Sequence, residues 1–136
     1  MQVNNVTNMR SDCPVSFALD LFGDKWTFLI IRDLVQGKKF YNDFLHSKEG
    51  IATNILSDRL KKLEHNGIVE SKVFEALKTK KEYSMTEKGK DLIPVLIEII
   101  IWSDKHQSDL AVSRDFINKA NKDREGLISE ILLGLK

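Results

Sequence analysis

The sequence predicts a mainly α chain carrying one small β-hairpin. Three observations carry that expectation. Apolar residues recur at three- and four-residue intervals through most of the chain. The period drops to two only once, shortly after Gly67. Two prolines in 136 residues leave few places where a helix must stop. With 42% hydrophobic and 30% charged residues, the chain has enough apolar material for a packed core and the length of one ordinary domain.

Residues 1–11 read as a flexible polar arm. In DCPVSFALDLFG, Pro14 suits the first turn of a helix, Phe17, Leu19, Leu21 and Phe22 supply apolar surface, and Gly23 closes it. DKWTFLIIRDLVQG follows, with Asp24 as cap and Gly37 as stop. Its Trp26, Leu29, Ile30 and Leu34 recur at spacings of 3, 1 and 4. KKFYNDFLHSKEG places Phe40, Phe44 and Leu45 on a short helix that Gly50 ends. GIATNILSDRLKKLEHNG then starts another helix, over 52–66, almost at once.

Two helices separated by so short a turn form a helix-turn-helix. At about 100° per residue, Leu56, Leu60 and Leu63 of the second helix share one stripe. Asn54, Asp58, Lys61 and His65 lie opposite, with Ser57 and Lys62 on the flanks. After Gly67, IVESKVFEA alternates, with Ile68, Val69, Val73 and Phe74 as strand formers; LKTKK interrupts, and EYSMT resumes. That is a hairpin with a basic tip of Lys78, Lys80 and Lys81, and the whole arrangement is a winged helix.

TEKGKDLIPVLIEIIIWSDKH predicts a last helix capped by Thr86, with Pro94 in its first turn or at a mild kink. Leu92 to Trp102 is apolar nearly all round, which predicts burial on more than one side and a second subunit as cover. Beyond it, DLAVSRDFINKANKD forms one helix, and LISEILLGLK puts Leu127, Ile128, Ile131, Leu132 and Leu135 on one side. There is no internal repeat.

The net charge of +1 gives no general affinity for nucleic acid, so local clusters must carry any such reading. The lone cysteine, Cys13, excludes an intrachain disulfide and points to a reducing compartment; the polar start lacks a secretion signal, and the apolar run is too short to span a bilayer. A cytoplasmic protein is expected. His46, His65 and His106 have no metal-ligand spacing, and no glycine-rich phosphate loop or nucleophile elbow occurs. Neither an enzyme nor a cofactor nor a metal is expected.

Two readings fit the polar face of the 52–66 helix. One is a solvated surface. The other is a major-groove reader in which Thr53, Asn54, Ser57 and Asp58 approach the bases. Lys38, Lys39, Arg59, Lys61 and Lys62, with the wing lysines, would then hold phosphates. Asp58 fits DNA poorly and would pair with Lys61 or Lys62, or accept from a cytosine amino group. Cys13 likewise reads as a small inert residue or, just ahead of Pro14 at a helix start, as a thiolate.

The Cys-Pro pair, Gly-Asp-Lys-Trp, L-x-x-x-L-x-x-L-E and Tyr-Ser-x-Thr-Glu-x-Gly occur in unbroken order across 12–106. Together they resemble the HxlR-type family of bacterial winged-helix transcription regulators. The resemblance implies a homodimer built by the first and last helices, with Phe17, Leu21, Leu92, Leu96, Ile99, Ile100 and Trp102 at the interface. It implies double-stranded operator DNA as partner, repression or activation of nearby genes, and, in several members, sensing of oxidants or electrophiles at the cysteine matching Cys13. Residues 107–136 form a C-terminal helical extension beyond the resemblance. Ala52 stands where the family often has Ser, which shifts the helix cap to Thr53. The contrasting reading is a winged-helix protein-interaction module without DNA.

Overall fold

The computed structural model describes residues 9–76 and 79–135. They divide into two compact units, one running to Thr86 and the other starting at Glu87.

In the first unit α1 spans Pro14–Phe22, α2 Thr27–Val35, α3 Tyr41–Leu45 and α4 Thr53–His65, followed by β1 Val69–Val73 and β2 Lys81–Met85. Cys13 occupies the N-cap of α1 in an extended conformation, and Pro14 sits in the first turn, where a missing N–H leaves nothing unpaired. Trp26 holds the cap position of α2, and Asp24, expected there, caps the turn that leads into it: its Oδ2 accepts from the N–H groups of Trp26 at 2.9 Å and Thr27 at 3.1 Å. Gly37 closes that helix at φ 96°, a left-handed conformation that glycine adopts without a Cβ clash.

The short helix differs from expectation at its first residue. Phe40 is its cap rather than a member, because the Asp43 carboxylate draws in the Phe40 N–H at 3.1 Å. Phe40 also bridges Glu82, and Tyr83 N–H donates to the Lys39 carbonyl at 2.8 Å, so Lys39 and Phe40 run along β2. The cap of α4 is likewise corrected. Ala52 holds the cap position and Thr53 is the first helical residue, with no side-chain oxygen closing the helix start.

The leucine stripe behaves as its spacing requires. Leu56, Leu60 and Leu63 are buried, together with Ile30, Ile31, Leu34, Phe44 and Ile51. The hairpin pairs antiparallel, Val69 opposite Met85 and Val73 opposite Lys81. Val69, Tyr83 and Met85 face the core, while Val73 is exposed at the far end of the strand. Lys78 lies outside the described residues.

In the second unit α5 spans Glu87–Lys90, α6 Ile93–His106, α7 Arg114–Lys122 and α8 Arg124–Gly134. The single helix expected from Thr86 is broken at Asp91–Leu92. Pro94 lacks an N–H and its ring would meet the carbonyl of Lys90, so a new helix starts with the proline in its first turn. Ile93, Leu96 and Ile97 of α6 are buried, whereas Ile99 is 43% and Trp102 67% exposed in the single chain. Ser113 caps α7 by accepting from Phe116 N–H at 3.0 Å. That cap, with Asp109 in a left-handed turn at φ 67°, starts the helix at Arg114 and not at Asp109. Asp123 caps α8 at Gly126 N–H, 3.0 Å. Leu127 is buried and Ile128, Ile131, Leu132 and Leu135 are half-buried, while Leu133 is exposed on the other side. No helix among the described residues is long and apolar enough to cross a membrane.

Candidate nucleic-acid interface

Burial of the leucine stripe leaves the opposite side of α4 open. Thr53, Asn54, Ser57, Asp58, Lys61, Lys62 and His65 are all exposed. The uncapped start of α4 adds free backbone N–H groups and the positive end of the helix dipole at Thr53 and Asn54, which favour an anion.

Arg59 is engaged differently from its lysine neighbours. Its Nε donates to Asp24 Oδ2 at 2.9 Å and its Nη1 to Asp58 Oδ2 at 2.5 Å. One guanidinium thus ties α4 to the start of α2 and neutralises the carboxylate on the exposed face. Asp58 takes Arg59, not Lys61 or Lys62, as its partner. Burial pushes the Asp24 carboxyl upward, but the Thr27 hydroxyl at 2.6 Å, Arg59 and the Trp26 N–H outweigh it and lower its pKa to about 2.

The other cations fall into two groups. Lys61, Lys62 and Lys81 make no ion pair among the described residues. Lys38 lies 3.5 Å from the buried Asp33, which also holds Arg32 at 2.9 Å. Lys39 lies 3.6 Å from Glu82, and the Lys80 ammonium sits 4.1 Å over the Phe40 ring. Phe40 in turn packs edge-on against Phe74 at 5.2 Å, so the tip end of the hairpin is fixed by an aromatic pair with a cation on top.

Tyr41 belongs to this face, and no sequence pattern singles it out. From the first turn of α3 its hydroxyl donates to the Thr53 carbonyl at 3.0 Å and lies 3.2 Å from Ser57 Oγ. With Asn42, Thr79, Lys80 and Lys81 it lines a cleft of about 500 Å³ between α3 and the hairpin. An aromatic at the start of the first helix of a helix-turn-helix is the one signal available in the sequence.

Among the expected interface residues, Phe17 and Leu21 are half-buried, as are Leu92 and Ile100. Leu96 is buried within its own chain, which removes it as a contact for a partner; Ile99 and Trp102 remain presented. No residue of α1 is buried, and Val15 and Leu19 are exposed. Cys13 is exposed.

Known proteins resemble this chain in sequence and in fold. The chain is 32% identical over 121 residues to the HTH-type transcriptional regulator YybR of Bacillus subtilis, covering 89% of this chain and 95% of that one. It is 37% identical over 94 residues to the HTH-type transcriptional regulator YodB of the same organism, covering 68% and 84%. The solved structure of the redox regulator HypR in its oxidized form superposes with a TM-score of 0.64 at 34% identity, covering 71% of this chain and 99% of that chain. The model of the HxlR-like helix-turn-helix matches residues 21–110, and the chain belongs to that family.

Proposed function

We propose that this chain is a cytoplasmic, homodimeric transcription regulator that binds operator DNA. The observation that carries the reading is the division of α4: its leucines are buried while Asn54, Ser57, Lys61 and Lys62 are all exposed on one side. Asn54, Ser57 and Asp58 read base edges in the major groove. Lys38, Lys39, Lys61, Lys62, Lys78, Lys80 and Lys81 hold phosphates and set register. Arg59 acts through Asp24 and Asp58 as a strut for the reading helix. Its pairing with Asp58 weakens the main objection to DNA, an unpaired carboxylate on the reading face.

A dimer supplies the cover that α1 and α6 lack. Val15, Leu19, Ile99 and Trp102 are large apolar residues exposed on these two helices. Two copies present two reading helices to half-sites about one DNA turn apart.

Cys13 gives the regulator an oxidant or electrophile input. It is exposed at the cap of α1, and among relatives of known structure HypR is a redox regulator and YodB has been solved in diamide-treated and quinone-bound forms. The chain has one cysteine, so a disulfide joins two chains, two thiols losing two protons and two electrons to the oxidant.

The test is fluorescence anisotropy of the purified protein with the DNA upstream of its own gene, at two salt concentrations, with and without diamide. Tight, sequence-selective, salt-dependent binding is expected, together with a diamide response and a nonreducing dimer band that Cys13→Ser lacks. Salt-insensitive or absent binding to any DNA would replace this reading with a protein-interaction module. A diamide response identical in Cys13→Ser would remove Cys13 as the sensor.

A further inference from the structure

Resting on the DNA reading above, we propose that Tyr41 sets the base preference of α4 by fixing Ser57 as a hydrogen-bond acceptor. A serine hydroxyl normally adapts to a base edge, donating to the acceptors of guanine or thymine or accepting from the amino groups of adenine or cytosine. Here it is not free to adapt. The Tyr41 hydroxyl has one proton, and its partner at 3.0 Å is the Thr53 carbonyl, which can only accept. The second contact of the Tyr41 oxygen, Ser57 Oγ at 3.2 Å, must therefore run the other way, with Ser57 donating to Tyr41. The proton of Ser57 is engaged by Tyr41, and the exposed Ser57 Oγ has only lone pairs left to offer a base.

Asp58, the next residue, is an acceptor as well. Its carboxylate is held from one side by Arg59 Nη1 at 2.5 Å and exposed on the other. Ser57 and Asp58 thus present two neighbouring acceptors in the middle of the reading face, between Asn54 and Lys61. In the major groove such a face selects bases that offer an exocyclic amino group, N6 of adenine or N4 of cytosine, and disfavours guanine and thymine, whose O6 and O4 meet it lone pair to lone pair. Tyr41 is in this sense a positioning residue: it determines specificity without touching a base.

Tyr41→Phe tests the idea, because it removes only the hydroxyl and leaves the ring in place. Wild type, Tyr41→Phe, Ser57→Ala and the double variant are passed through selection from a randomised duplex library, with circular dichroism confirming the fold of each. Wild type should discriminate adenine or cytosine from guanine or thymine by about tenfold at the Ser57 position. In Tyr41→Phe the freed proton lets Ser57 donate, so that discrimination should fall to about threefold or less while all other positions keep theirs. The double variant should match Ser57→Ala at that position, since Tyr41 acts through Ser57. An unchanged preference profile in folded Tyr41→Phe, a wild-type preference for guanine or thymine there, or a profile altered at every position overturns the proposal. A wild-type protein that selects no sequence at all overturns the DNA reading itself.

Discussion

Arg59 Nε lies 2.9 Å from Oδ2 of Asp24, 35 residues earlier in the chain, and the same carboxylate caps the turn leading into α2 through Trp26 and Thr27. One aspartate therefore holds two helices, the one that begins beside it and the one that faces solvent. Asp24→Ala removes a helix cap, worth about 1 kcal/mol, and a half-buried charge-assisted hydrogen bond of about 1.5 kcal/mol. A loss of about 2 kcal/mol is expected in urea unfolding, with the slope unchanged. A change below about 0.5 kcal/mol would show that solvent or Asp58 replaces Asp24 at little cost.

Two paired carboxyls, Asp24 with Arg59 and Glu49 with Arg32, predict an acid limit. Asp24 is lowered from 3.8 and Glu49 from 4.5, each to about 2, the latter by its hydrogen bond to Arg32. Both carboxyls are depressed in the folded state, so their stabilisation is present above pH 4.5 and is lost as pH falls through about 2. Asp24 contributes about 2 kcal/mol of it. Glu49 contributes less, being more open to solvent screening. Urea midpoints measured at several pH values from neutral down to the acid limit should fall, and the fall should be shallower in Asp24→Asn. Parallel curves would refute the assignment.

Lys61→Ala and Asn54→Ala should separate positioning from reading. Lys61 is exposed and makes no ion pair among the described residues, so its removal should weaken all duplexes alike and reduce the salt slope by about 1. Asn54→Ala should keep the slope and relax one or two base positions. Wild-type behaviour from both would mean that α4 does not enter the groove.

The wing depends on Phe40. Phe40→Ala removes the edge-on partner of Phe74 and the seat of Lys80. Destabilisation of about 2 kcal/mol is expected, with faster hydrogen exchange at Phe74, whose N–H bonds the Lys80 carbonyl. Unchanged exchange there would show that the hairpin holds its tip end without the aromatic pair.

If the proposed dimer forms through α6, wild type should sediment as a dimer and Ile99→Lys, which places a charge on the exposed apolar residue, as a monomer. A dimer of unaltered strength would move the interface away from α6.

Much of this molecule follows from local rules that act within one or two turns. Leu56, Leu60 and Leu63 share a stripe because of helical geometry alone, and their burial leaves Asn54, Ser57 and Lys61 outside wherever the helix packs. Gly37 and Gly50 end their segments with φ of 96° and 71° for reasons carried by the glycine itself. Pro94 shows where such rules compete: the apolar run argued for one long helix, and the absent N–H broke it. What no periodicity contains is which side chain meets which across a turn or a sheet. Arg59 looked like its lysine neighbours until Asp24 came within 2.9 Å, and Tyr41 had no role until α3 brought its hydroxyl to Thr53 and Ser57. Those pairings join residues 12 to 35 positions apart, and only the packing of α2, α3 and α4 around one core sets the distances between them. The sequence by itself determined that a polar helix face would be presented; the tertiary structure decided which of its hydrogen-bonding groups remain free to use.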